Sequence, residues 1–114
     1  MKLYGISNCT TVKKARAWLE ERQIAHTFHD IRKNPLAPEE LDNWIGQIGW
    51  EDLINRRGTT WRKLDPAIQA TVTSIEAARQ LMLSAPSIIK RPILDKEGRI
   101  YIGFTPEQYE TLFQ

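Results

Sequence analysis

The 114-residue chain has a single cysteine, at position 9. A lone thiol excludes an internal disulfide framework, a cysteine-rich zinc site and an intramolecular CxxC redox pair. It suits a reducing, cytoplasmic compartment. Long apolar runs are missing as well: no stretch approaches the roughly 18–20 residues that cross a bilayer as a helix, so no membrane span is expected. The opening MKLYGISNC lacks the apolar centre of a secretory signal, and none is expected there. Neither sign of charge dominates. Sixteen basic and fourteen acidic side chains leave a formal charge of +2, without the basic run or face of a dedicated nucleic-acid or membrane-surface binder. Glycine and proline, six of each, are scattered rather than clustered, so no linker, repeat or low-complexity tract divides the chain.

What is present is ordinary for one folded domain: 41% hydrophobic and 26% charged residues, at a length that supports one core. Lys2-Leu3-Tyr4-Gly5-Ile6 alternates polar and apolar and reads as a strand. A helix follows from about Thr11 to Arg22, with Val12, Ala15, Trp18 and Leu19 on its apolar stripe. His26–Ile31 reads as a second strand, which completes a right-handed βαβ unit. The middle is helical. Pro38-Glu39-Glu40 suits a first turn, Leu41, Trp44, Ile45 and Ile48 form an apolar face, and Gly49 stops the helix. Trp50–Ile54 and the segment after Asp65-Pro66 suggest short helices. Thr73 and Glu76 fit a capping box that opens a helix carrying Ile75, Ala78, Leu81 and Met82 on its apolar side. Strands return at Pro92-Ile93-Leu94 and Arg99–Ile102, on either side of the hairpin signal Lys96-Glu97-Gly98. Thr105-Pro106-Glu107-Gln108 starts a last helix. The expected fold is α/β: a mixed sheet, βαβ then ββα, with a helical block inserted at about 36–85 of a single 1–114 domain.

Cys9 is the main chemical signal. It falls between a strand and a helix start, where free amides and the positive end of the helix dipole favour a thiolate. Lys13 and Lys14 add positive potential on the first turns. Against this stands the burial of most free cysteines as packing residues; the strand–Cys–helix placement tips the reading toward a nucleophile. Arg56, Arg57, Arg62, Lys90 and Arg91 are candidate anion contacts, although any single arginine is more often a solvated surface residue. His26 and His29 are expected on one strand with a shared face. Without a third ligand they make a weak metal pattern, and edge positions are the expected reading. The four tryptophans are expected in packing, with Trp61, between Thr60 and Arg62, the one kept open as a partner contact.

LYGISNCTTVKKARAWL, LINRRGTTWRKL and IIKRPIL, in that order and spacing, resemble the arsenate reductase-like (ArsC/Spx) branch of thioredoxin-like proteins, and within it the YffB subgroup. The resemblance runs over nearly the whole chain and implies a thioredoxin-like core. It implies that Cys9 is the catalytic nucleophile and that Arg91 is the catalytic arginine before a cis-proline, Pro92. It also implies substrate contacts from Asn8, Lys13, Arg57, Arg91 and Pro92, with Arg56 as the alternative register to Arg57. The implied activity is glutathione-dependent thiol–disulfide reduction, with glutathione as co-substrate, glutaredoxin as a further partner, no metal, and a monomeric, cytoplasmic protein. Two departures bear on the alternatives. Arsenate reductases of the family carry a third arginine in the last strand region, where IGFTPEQY has none and Gly103 lies near the expected place. Spx regulators, which bind RNA polymerase, often carry CxxC where this chain has Val12 in the fourth position.

Overall fold

The computed structural model describes all 114 residues. They form two compact units: Met1–Asn34 with Arg91–Gln114, and Pro35–Lys90. No helix is long and apolar enough to cross a membrane.

The first unit is built on a four-stranded sheet of β1 (Lys2–Gly5), β2 (Thr27–Asp30), β3 (Ile93–Lys96) and β4 (Arg99–Ile102), in the order β2-β1-β3-β4. β1 pairs parallel with β2 and antiparallel with β3, and β3 pairs antiparallel with β4. The sheet is therefore mixed, as the sequence order requires. Register explains the core. Leu3 stands opposite Phe28 on one side and Leu94 on the other, and Leu94 stands opposite Tyr101. That row meets helix α1 (Thr10–Glu21) through Ala15, Trp18 and Leu19, and helix α7 (Pro106–Leu112) through Tyr109. The three- and four-residue spacing of Val12, Ala15, Trp18 and Leu19 is what places all four on the buried side of α1. An edge-on aromatic cluster finishes this core: Tyr109 meets Trp18 at 5.5 Å and Phe104 at 4.7 Å between ring centroids.

The β3–β4 hairpin turns through Glu97 (φ 55°) and Gly98 (φ 88°). Two successive positive φ values are the backbone of a type I′ hairpin. Helix α7 begins as its sequence indicates. The Thr105 hydroxyl accepts the Gln108 amide at 3.0 Å, and Pro106 takes the first helical position. The Gln108 side chain does not complete a box; its amide donates to the Ile102 carbonyl at 3.3 Å.

The second unit carries α2 (Pro38–Ile48), α3 (Trp50–Leu53), α4 (Thr59–Arg62), α5 (Pro66–Thr71), α6 (Ile75–Ser84) and a 3-10 turn at Pro86–Ile88. Gly49, at φ 97°, ends α2 in a conformation that a side chain would strain. Leu41, Trp44, Leu53, Ile54, Ala78, Met82, Ile88 and Ile89 are buried. Two expectations are corrected here. The cap of α6 is Ser74, not Thr73: Ser74 is extended (φ −143°, ψ 163°), and its hydroxyl accepts the Ala77 amide at 3.2 Å. Helical dihedrals start at Ile75, which moves the capping position along by one. That start also turns Ile75 outward, and it is 49% exposed rather than part of the apolar face.

Candidate functional site around Cys9

β1 ends at Gly5, and the chain turns sharply before α1, with the Cys9 amide donating to the Ile6 carbonyl at 3.1 Å. Cys9 is the N-cap of α1, with extended dihedrals (φ −92°, ψ 126°) and a half-buried thiol. Burial alone pushes the thiol pKa up. The Val12 amide, the Arg91 guanidinium and the Thr11 amide more than offset it, and the net shift is downward. The amides act as oriented dipoles at the helix start, since the Cys9 side chain makes no formal capping hydrogen bond. Arg91 contributes both hydrogen bonding and full charge. The positive charge acting on the sulfur is thus that of Arg91. Lys13 and Lys14 are exposed on the first turns of α1, and the Lys13 amide closes a helical hydrogen bond on the Cys9 carbonyl at 2.9 Å.

The Arg91–Pro92 peptide bond is cis. Arg91 is half-buried and Pro92 buried, and the Pro92 carbonyl accepts the Gly103 amide at 2.8 Å, which ties the start of β3 to the end of β4. Gly103 has φ 78°, a left-handed conformation that most side chains would adopt only under strain. Asn8 is exposed beside Cys9. The structure therefore brings Asn8, Cys9, Lys13, Arg91 and Pro92 into one unit.

Arg57 belongs to the helical unit. It is exposed, its amide donates to Asn55 Oδ1 at 3.2 Å, and it lines a hollow with Glu51, Asp52, Asn55, Arg56 and Lys90. The neighbouring Arg56 guanidinium lies over the Trp61 ring at 5.4 Å, so the two arginines differ in surroundings.

The expectation that the two histidines share a face is corrected, although β2 is an edge strand of the sheet. His26 precedes β2, and the step from 26 to 29 is odd, so a strand would turn the two to opposite faces. Each ring is held by backbone: His26 Nδ1–H donates to the Ile24 carbonyl and His29 Nε2–H to the Asn34 carbonyl, both at 2.9 Å. His29 also packs on Tyr4, with centroids 4.9 Å apart. No group of three or more potential metal ligands occurs in the chain.

One residue at the site escaped the sequence reading. Asp30, at the end of β2, is only 7% exposed and has no ion-pair partner. Its Oδ2 accepts the Ser7 amide at 3.2 Å, and its Oδ1 accepts the amides of Arg32 at 2.9 Å and Lys33 at 3.2 Å. Burial raises its pKa, but the amides of Arg32, Lys33 and Ser7 and the Ser7 hydroxyl outweigh this and hold it below the usual carboxylate range. Asp30 thereby fastens the turn that presents Cys9 to the end of the neighbouring strand. The pairing of Gly5 with Asp30 in the parallel register is what brings the two together.

A mixed sheet in this order, with a thiol at the first turn of α1 and a cis-proline opening β3, is the thioredoxin-like architecture. Within it, the ArsC family model matches residues 4–112, and the chain belongs to the ArsC family. A solved structure described as a YffB protein is 45% identical, covers 96% of each chain and superposes with a TM-score of 0.90. An arsenate reductase (ArsC) related protein from Brucella melitensis is 48% identical over 99% of this chain and 93% of its own, with a TM-score of 0.78. The global transcriptional regulator Spx of Streptococcus agalactiae is 35% identical over 93% of this chain and 77% of its own length.

Proposed function

We propose that the protein is a glutathione-dependent thiol–disulfide reductase in which Cys9 is the nucleophile. The observation that carries this reading is the half-buried Cys9 thiol, whose pKa is held down by the α1 amides and Arg91. A depressed pKa supplies thiolate at neutral pH. The thiolate attacks a substrate–glutathione mixed disulfide at the glutathione sulfur. A Cys9–glutathione disulfide forms, the original S–S bond breaks, and the substrate sulfur leaves with the electron pair and takes a proton. A second glutathione thiolate then attacks the new bond. Glutathione disulfide departs and Cys9 is regenerated as thiolate. With one cysteine in the chain, the resolving thiol comes from outside, from glutathione or from glutaredoxin.

In this scheme Arg91 steadies the thiolate as it forms and departs. Asn8, next to Cys9 in the chain, and Lys13, exposed on the first turn of α1, are assigned to substrate contact, and the backbone of the Arg91–Pro92 segment offers strand-like pairing to the peptide middle of glutathione. The protein acts as a monomer in the reducing cytoplasm, where glutathione is abundant. The test is turnover of a peptide–glutathione mixed disulfide with glutathione, together with the intact mass of the enzyme trapped after the first step. The reading expects one glutathione adduct on the parent and none on Cys9→Ser. No adduct and no turnover on the parent would overturn it.

A second reading, transcriptional regulation, has one specific support: the 35% identity to Spx. It predicts a partner interaction that survives Cys9→Ser. Arsenate reduction by the same thiol is supported by the similarity to the Brucella protein and predicts arsenate-dependent oxidation of glutathione that Cys9→Ser and Arg91→Ala both abolish.

A further inference from the structure

Two turns border one small pocket next to Cys9. The first is the Ile6–Cys9 turn, closed at 3.1 Å; the second is the Asp30–Asn34 turn, closed by the Asn34 amide on the Asp30 carbonyl at 2.9 Å. The pocket between them is lined by Ile6, Ser7, Asn8, Asp30, Arg32 and Lys33. Its polarity is not that of its residue list. The Asp30 carboxylate is buried and already accepts three backbone amides. A carboxylate so engaged presents little acceptor capacity to a newcomer. Arg32 and Lys33 are exposed, and neither is an ion-pair partner of any acid in the chain: the ion pairs are Arg22 with Glu21 and Glu110, and Arg79 with Asp42. The Asp30 carboxylate keeps its negative charge, so two uncommitted cations leave the pocket with a net charge of about +1, beside the Asn8 amide. Asn8 immediately precedes Cys9, so one wall of the pocket is continuous with the residue that carries the thiol.

We infer that this pocket binds a carboxylate of the disulfide that Cys9 attacks, with Arg32 and Lys33 supplying the charge. This deepens the reductase reading and rests on it. The substrate class is a disulfide that carries a carboxylate near its sulfur, as glutathione disulfide does. Specificity is then divided between two positions: Arg91 acts on the reacting sulfur, and Arg32 with Lys33 act on the charged end of the molecule. The Asp30 clamp fixes the pocket relative to the thiol, because the same carboxylate holds Ser7 on one wall and the amides of Arg32 and Lys33 on the other.

The experiment compares single-turnover rates of Cys9 with three small disulfides: dithiodiglycolate (anionic), bis(2-hydroxyethyl) disulfide (neutral) and cystamine (cationic). The proteins are the parent, Arg32→Ala/Lys33→Ala and Arg32→Glu/Lys33→Glu, each checked for an unchanged melting profile. The parent is expected to favour the anionic disulfide over the neutral one. The alanine pair should lower that preference about three- to tenfold, as loss of two exposed cation contacts allows. The glutamate pair should turn the preference toward cystamine. Raising the salt concentration should shrink the parent's preference toward that of the alanine pair. Alkylation by neutral iodoacetamide reports thiolate formation alone and should change less than about twofold. An anionic-to-neutral ratio that is the same in all three proteins overturns the pocket assignment and leaves the reductase reading standing. A Cys9 that reacts with none of the disulfides overturns both.

Discussion

The Arg91 guanidinium at the start of β3 lies against the Cys9 sulfur at the start of α1 and favours its charged form. Two segments far apart in sequence thus share one ionisation. Replacing Arg91 with alanine removes both the hydrogen bond and the charge, so the rise in iodoacetamide alkylation rate with pH should move to higher pH, with a plateau at least as high as the parent's because a more basic thiolate is the stronger nucleophile. Arg91→Lys should fall between, keeping charge without the planar fork. A limb that does not move in Arg91→Ala would show that the helix amides act alone.

The same ionisation links to stability. The Cys9 pKa is lower folded than unfolded, so its contribution is complete above the unfolded thiol value of about 8.5 and fades as pH falls through the folded value. Cys9→Ser should lack this component. The difference in melting temperature between parent and Cys9→Ser should therefore shift in the parent's favour from neutral pH to about pH 9. A pH-independent difference would contradict a depressed folded pKa.

Asp30 predicts a second pH dependence, on the acid side. Its folded pKa is depressed, so its contribution is present above the unfolded value of about 4 and is lost as pH falls toward the folded one. Asp30→Asn should flatten that acid limb. At neutral pH it should destabilise by about 2–3 kcal/mol, because an amide presents donors to backbone N–H groups that need an acceptor. Denaturant unfolding at neutral and acidic pH measures both effects.

Gly5 is required by contact rather than by its dihedrals. A Cβ there would sit 2.7 and 2.9 Å from the two Val12 methyls. Gly5→Ala should destabilise by about 1–3 kcal/mol through overpacking and disturb the first turn of α1, which holds Cys9. Adding Val12→Ala opens the space, so the double variant should be more stable than the sum of the two single changes. Strict additivity in denaturant melts would show that the clash is absorbed elsewhere.

Tyr109 is fully buried, and its hydroxyl and the Trp18 indole Nε1 are buried without hydrogen-bond partners. Burial also pushes the phenol pKa up. Tyr109→Phe keeps the aromatic cluster and removes an unsatisfied polar atom, so it should be as stable as the parent or up to about 1 kcal/mol more stable. Tyr109→Ala, which empties the cluster, should lose about 3–5 kcal/mol. A marked loss in Tyr109→Phe would mean that the hydroxyl has a partner.

Local signals were readable wherever the physics is local. The stripe of Val12, Ala15, Trp18 and Leu19, the Thr105-Pro106 helix start and the Glu97-Gly98 turn each depend on neighbours within a few residues. The placement of Cys9 before α1 is of the same kind. Asp30 was not readable, because its role arises only when parallel pairing sets it beside Gly5 and the Ser7 amide, 23 residues away. The shift of the α6 cap from Thr73 to Ser74 has another cause: both hydroxyls suit a cap, and only the backbone dihedrals choose between them. Arg56 and Arg57 are alike in sequence, and the Trp61 ring is what separates their surroundings.

Titrating Cys9 by its ultraviolet thiolate absorbance, in the parent with Cys9→Ser as the blank, tests the whole account most directly. Half-ionisation clearly below the free-thiol value of about 8.5, rising when Arg91 is replaced by alanine, is the predicted result. Half-ionisation at or above that value, indifferent to Arg91, would contradict it.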